Sequence, residues 1–280
     1  MIYLTNQPPP VVLPEGYVDF FRDLENWQNQ ELIKLKQVYQ PPRQDIGKAL
    51  DGNKRALLQQ VNPGIDAGSL RDTYMRFLAW LQNARPAVSA EIARLLKQAE
   101  TFDFQEIAAA FTRGNDVYFE GLAEQTGVTN ELLFFTIDHA LRPYLRIFAL
   151  PYEEELPNAD SLPWDFPANC PVCGAKSHFC RLTFDEGHRL MFCDRCFSEW
   201  WIRYIFCPYC GHDRPGDIGF ITIENDKSPF KVYVCEKCKG YLKTYDERDG
   251  APSTDLYIAN VETIYLDMLA QEKGYTNHDE

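Results

Sequence analysis

The chain is 280 residues long with a mass of 32.4 kDa, enough for one large domain or two ordinary ones, each with its own core. Its 28 Lys and Arg against 41 Asp and Glu leave a formal charge of −13, which argues against nucleic acid or an anionic membrane surface as partner, since both need clustered positive charge. The 45% hydrophobic and 14% aromatic content excludes a largely disordered chain.

The first sixteen residues carry no basic stretch leading into an apolar one, so no secretory signal is expected. No apolar run reaches membrane-spanning length, so no membrane span is expected and the expected location is cytoplasmic. From about 14 to 150 the pattern is helical. Pro14-Glu15-Gly16 opens an amphipathic run through Val18, Phe21, Leu24, Trp27, Leu32, Leu35 and Val38, which Pro41-Pro42 ends. A second helix is predicted from Ile46 to Leu58, with Asn62-Pro63-Gly64 as the turn after it. A third covers 70–84, with Tyr74, Phe77, Leu78 and Leu81 on one side. Ser89 reads as the N-cap of a fourth, which turns Ile92, Leu95 and Leu96 inward. A fifth spans 103–125, and Thr129 caps a sixth whose stripe is Leu133, Ile137, Leu141, Tyr144 and Phe148, kinked at Pro143. His139 on that helix reads as a core or surface residue, not a catalyst.

From 151 to 169, prolines and Glu153-Glu154-Glu155 read as an extended acidic linker. Beyond it come β-like stretches at Ile218–Glu224 and Lys231–Val234, and a polar tail, 276–280, that should fray. Residues 164–280 hold 13 basic and 19 acidic side chains, so this half hides no basic module.

All nine cysteines lie from Cys170 onward, and eight form C-x-x-C pairs: Cys170/Cys173, Cys193/Cys196, Cys207/Cys210 and Cys235/Cys238. In a reducing cytosol such pairs read as metal ligands rather than disulfides. Two sulfurs on one tight turn face the same way, and two such turns close a tetrahedral four-sulfur shell around Zn or Fe. Gaps of 19, 10 and 24 residues favour a sequential assignment. Cys170, Cys173, Cys193 and Cys196 then hold one metal ion, and Cys207, Cys210, Cys235 and Cys238 a second. An interleaved cross-brace remains an alternative. Cys170-Pro171-Val172-Cys173-Gly174 and Cys207-Pro208-Tyr209-Cys210-Gly211 repeat one form, in which Pro presets the turn and Gly permits a positive φ. A thioredoxin-type dithiol would need a βαβ context that is missing here.

These features predict a multi-domain α+β protein: an α-helical N-terminal bundle followed by two rubredoxin-like or zinc-ribbon modules. The divisions are 1–150 (helical domain), 151–169 (linker), 170–204 (metal module one) and 205–280 (metal module two with a C-terminal segment). Cys180 reads as a small buried hydrophobe in a strand, with an alternative ligand or reactive thiol as the other reading. Shells already filled by cysteine leave His178, His188 and His212 no ligand role. The aromatic stretch with Trp200, Trp201, Tyr204 and Phe206 reads either as the core docking the modules or as a partner surface. No nucleophile–base motif or phosphate loop is present, which points away from an enzyme.

The order Cys170-Pro171-Val172-Cys173-Gly174, Arg189, Cys193-Asp194-Arg195-Cys196, Glu199-Trp200, Cys207/Cys210, Cys235/Cys238, Gly240-Tyr241-Leu242-Lys243, Leu266-Asp267 and Gly274-Tyr275 resembles the formate dehydrogenase accessory protein family FdhE. The resemblance covers about residues 168–275; the N-terminal half agrees only in helical character and length. It implies a cytoplasmic maturation factor that contacts the catalytic subunit of formate dehydrogenase and assists its assembly. A rubredoxin-like electron carrier is the alternative, and a nucleic-acid-binding ribbon is opposed by the acidity. Oligomeric state and the choice between Zn and Fe are left open by the sequence.

Overall fold

The computed structural model describes residues 2–4, 13–157, 163–223, 228–251 and 254–279. Its contacts divide into two compact units: 23–44 with 57–150, and 1–22 with 45–56 and 151–280.

The helical unit takes most of α1 (Tyr17–Leu35), then α3 (Leu57–Gln60), α4 (Ala67–Ala84), α5 (Ser89–Gln98), α6 (Phe104–Arg113), α7 (Asp116–Thr126) and α8 (Asn130–Ala149). Its core is the predicted α4 face of Tyr74, Phe77, Leu78 and Leu81 against the α8 stripe of Leu133, Ile137, Leu141, Tyr144 and Phe148. α8 continues through Pro143 and is buried from Thr136 to Ala149. Two expected helices are corrected. The span from Ile46 breaks after α2 (Ile46–Leu50), because Gly52 turns the chain at φ +62°. The span 103–125 is two helices: Gly114 closes α6 in the left-handed region, and Asn115 caps α7 by accepting from the Tyr118 N–H at 3.3 Å. Ser89 is also not a cap, because a 3-10 turn, Pro86–Val88, leads into α5. Asp66, Asp103 and Thr129 do cap α4, α6 and α8. Within this unit Glu31 is buried and receives Arg76 at 2.6 Å. Burial alone would raise the Glu31 pKa, but Arg76 and Lys34 hold it below the ordinary range.

The second unit is built on one seven-stranded sheet in the order β1-β5-β6-β7-β2-β3-β4. Its strands are β1 (Ile2–Leu4), β2 (Phe179–Leu182), β3 (Arg189–Phe192), β4 (Glu199–Ile202), β5 (Ile218–Ile223), β6 (Phe230–Cys235) and β7 (Tyr241–Asp246). The antiparallel β2–β3–β4 and β5–β6–β7 meanders carry one cysteine cluster each, and a parallel pairing of β2 with β7 joins them, Phe179 opposite Lys243. β5 and β6 cover the two predicted stretches, except that Glu224 lies outside the described residues. The helices α9 (Leu256–Glu262) and α10 (Ile264–Glu272) carry no expectation from the sequence. Tyr257, Ile258 and Ala259 pack with Phe179, Phe192 and Tyr245, and Leu266, Leu269 and Ala270 with Val232, Val234 and Tyr241.

Two further expectations change. The 151–169 stretch is not simply extended: Tyr152, Leu156 and Ala168 are buried, while 158–162 lie outside the described residues. The tail is not frayed as far as it is described, through Asp279. The Thr276 N–H donates to the Lys239 carbonyl at 2.8 Å, and the Tyr241 N–H donates back to Thr276 at 3.1 Å. Glu280 lies outside the described residues.

Candidate metal centres

Each C-x-x-C pair forms the same turn. The first cysteine's N–H donates to the carbonyl five residues on: Cys170 to Ala175, Cys193 to Ser198, Cys207 to His212 and Cys235 to Gly240, all between 2.8 and 2.9 Å. The residue after the second cysteine has positive φ in all four: Gly174 at +80°, Phe197 at +67°, Gly211 at +72° and Lys239 at +58°. The C-P-x-C-G form thus carries glycine where the turn requires it. The other two turns impose the left-handed conformation on Phe and Lys, at a cost of about 1–2 kcal/mol each. The Cys193 and Cys235 turns are the hairpin tips of β3–β4 and β6–β7; the Cys170 and Cys207 turns lead into β2 and β5.

The turns meet in two clusters, and within each all four sulfurs lie within 4.8 Å of one another. One unites Cys170, Cys173, Cys193 and Cys196 (site one), the other Cys207, Cys210, Cys235 and Cys238 (site two). Sulfurs from opposite turns stand 3.5 Å apart in site one (Cys170 to Cys196, Cys173 to Cys193) and 3.6 and 3.8 Å apart in site two. A tetrahedron with metal–sulfur bonds of about 2.3 Å has an edge of about 3.8 Å, so this spacing suits one ion per cluster. Burial and the neighbouring thiols push Cys170 well above the ordinary thiol range, a penalty that a divalent cation reverses. Both clusters can hold metal ions.

The two sites differ in access. Site one's cysteines are all buried, whereas in site two Cys210 is exposed and Cys238 half-buried. Burial pushes Cys238 up to about 11. At Cys210 the slight burial is outweighed by the His212 backbone N–H and the neighbouring thiols, which hold it below the ordinary value.

No family model matches the chain. Curated relatives do: the Protein FdhE of Salmonella choleraesuis strain SC-B67 is 28% identical over 109 residues, and the Protein FdhE homolog of Enterobacter sp. strain 638 is 29% identical over 109 residues. Each match takes in 38% of this chain and 34% of the relative, so it spans about a third of the relatives' length. The crystal structure of the FdhE protein from Pseudomonas aeruginosa superimposes with a TM-score of 0.56 at 18% identity, over 95% of this chain and 88% of that one. At that identity the likeness speaks for the fold. These matched proteins are all named FdhE.

The FdhE-like residues outside the turns hold the unit together. Arg189, 1% exposed, donates from Nη1 to the Tyr204 and Phe206 carbonyls, both at 3.0 Å, and lies over the Tyr233 ring. It thereby fixes the segment leading from site one into site two. Glu199 accepts from Arg181 at 2.5 Å. Lys243, buried, pairs with Asp267 at 2.6 Å and donates to the Asn260 carbonyl at 2.8 Å, tying β7 to α9 and α10. Tyr275 donates to Glu236, inside the fourth turn, at 2.6 Å.

Of the four residues read either as docking core or as partner surface, Trp200 and Phe206 are core and not surface. Trp200 is 1% exposed and donates its indole N–H to the Pro167 carbonyl, and Phe206 is buried with the Arg203 guanidinium over its ring. Trp201 is half-buried and Tyr204 exposed. Cys180 is buried in β2, 3.1 Å from the Thr244 hydroxyl and outside both clusters. His178, His188 and His212 pair with Asp279, Glu186 and Asp217. His139 is buried beside Gln28, at 2.9 Å. Sequence reasoning missed the outer shell, above all the Thr276–Asp279 strap. Its one sequence signal is Gly274-Tyr275 just ahead of it, where Gly274 takes φ +82°.

Proposed function

We propose that the chain is an accessory factor that binds the catalytic subunit of formate dehydrogenase and assists its assembly, in the cytoplasm and without catalysis of its own. The observation that carries this reading is the pair of four-cysteine clusters on one sheet, in a chain similar to proteins named FdhE. Cys170, Cys173, Cys193 and Cys196 would hold one ion, and Cys207, Cys210, Cys235 and Cys238 the other. Zn in such a shell is structural, while Fe would add one-electron chemistry. With every sulfur committed to the ion, neither shell leaves an open position for a substrate. Trp201 and Tyr204, with the exposed Ile205 beside them, are the factor's proposed contact surface. Acidity disfavours nucleic acid as partner. Among the described residues no helix is long and apolar enough to cross a membrane.

A pull-down with the formate dehydrogenase catalytic subunit tests this reading. Wild type should retain the subunit and Cys193→Ser should not; absence of association with both the cofactor-free and the cofactor-loaded subunit overturns it. The rubredoxin-like electron carrier is kept as a second reading because site two is open at Cys210. It requires a red iron chromophore in anaerobically purified protein, and a colourless zinc protein from iron-replete anaerobic cells removes it.

A further inference from the structure

Residues 275–279 form a strap over the fourth cysteine turn. Thr276 bridges to Gly240, Tyr275 reaches Glu236, and the Thr276 N–H binds the Lys239 carbonyl. At its far end the strap is held by site one's flank: Lys176 donates to the His278 carbonyl, and His178 pairs with Asp279 at 2.9 Å. His278 is thereby turned inward in a left-handed conformation, φ +60°, against the Tyr209 ring at 5.1 Å.

Its Nε2 atom is buried and has no hydrogen-bond partner among the described residues. The surroundings of Gly240 show what lies near that nitrogen. A Cβ at residue 240 would lie 3.0 Å from His278 Nε2 and 3.1 Å from Cys238 Sγ. The imidazole nitrogen and the Cys238 sulfur therefore border the same small space, with Tyr209 Cδ2 as its third wall, and the lack of a side chain at 240 leaves that space open. A buried ring nitrogen left without a partner is unfavourable, so a residue in a left-handed conformation that keeps one near a sulfur calls for a role. A thiolate bound to metal is a much stronger acceptor than a neutral thiol and can take a second donor beside the Gly240 N–H, which reaches Cys238 Sγ at 3.4 Å.

We infer that His278 belongs to site two, as the N–H donor to the Cys238 thiolate when a metal ion is bound. The strap then closes the half-buried side of a site that is otherwise open. The assignment rests on the four-cysteine reading of site two and concerns its outer shell, so His278 acts through Cys238 as a positioning residue.

The test uses the full chain loaded with Co2+ and challenged with a chelator. Wild type should take up two equivalents. His278→Ala should release one of them about tenfold faster or more, the usual scale for an outer-shell donor, and shift that site's sulfur-to-cobalt band, with the other equivalent unchanged as the internal control for folding. His278→Gln, which keeps an N–H donor, should restore most of the retention. Superimposable release for His278→Ala and wild type overturns the assignment, as does His278→Gln releasing as fast as His278→Ala. Nitrogen-15 spectra of the loaded wild type give a reading that needs no variant. His278 should carry its proton on Nε2, and the Nδ1–H tautomer overturns the proposal. Uptake of fewer than two equivalents by wild type would instead sink the four-cysteine reading of site two.

Discussion

Sites one and two use the same turn twice each and meet solvent differently. Site one sits among strands on both sides: its tip belongs to β3–β4, its first turn leads into β2, and β2 lies between β3 and β7. All four of its cysteines are buried. Site two pairs the tip of β6–β7 with a turn that leaves Cys210 exposed, and the C-terminal strap lies along its Cys238 side. Identical local chemistry therefore yields one sealed centre and one accessible centre. The difference comes from what the neighbouring chain covers, not from the ligands. A sealed site suits a structural ion, and an accessible one can exchange its metal, accept an electron or meet a partner.

The sharpest way to break this comparison is to remove ligands from each site in turn. A structural ion contributes roughly 10–16 kcal/mol of apparent folding free energy, as much as a whole domain's stability of about 5–15 kcal/mol. Cys193→Ser with Cys196→Ser should therefore unfold β2–β4 and, through the β2–β7 pairing, disturb site two as well. Cys207→Ser with Cys210→Ser should leave one equivalent bound and the site-one strands folded. Metal content with near-ultraviolet dichroism decides, and equal losses from the two variants would refute the asymmetry.

Arg189 ties the sites together. Arg189→Met leaves the Tyr204 and Phe206 carbonyls without their donor and should cost about 2–4 kcal/mol in chemical denaturation of the loaded protein. A cost below about 1 kcal/mol would mean that the segment holds itself. Gly240→Ala probes site two alone: its Cβ would meet Tyr209 Cδ2 at 2.8 Å. The resulting overpacking should cost about 1–3 kcal/mol and loosen one metal equivalent, not two; metal retention during dialysis is the measurement.

Alkylation of the loaded protein with a maleimide, followed by peptide mass spectrometry, should label Cys210 ahead of every site-one cysteine. Simultaneous labelling would contradict the difference in access. The smallest effect is a gain. Lys239 is exposed and strained at φ +58°, so Lys239→Gly should raise stability by up to about 1 kcal/mol. Its lost pairing with Glu236 is a surface contact of small value. An unchanged or lower denaturation midpoint would show that the side chain matters more than the strain.

Legibility in the sequence follows the range of the forces. Helices with a strong 3.6-residue stripe, such as the one after Thr129, are readable because the pattern repeats over several turns. The breaks at Gly52 and Gly114 escape notice because a single glycine inside a periodic run does not disturb the count. The short strands β2, β3 and β7 are obscured because both faces are largely buried, so they lack alternation, and β4 alternates over only four residues. Trp200 and Phe206 look like surface candidates because an aromatic run reads the same whether it faces a partner or a core.

The sequence by itself determined the four turns, since C-x-x-C spacing, with Pro and Gly in two of the four, sets their backbone over five residues, and it pointed to two groups of four sulfurs. Only the tertiary structure decided that both groups sit on one sheet, that Arg189 and Lys243 are buried ties, and that a polar tail folds back to bring His278 beside Cys238. Those features depend on parallel pairing and packing between segments far apart along the chain, which leave no period in the sequence.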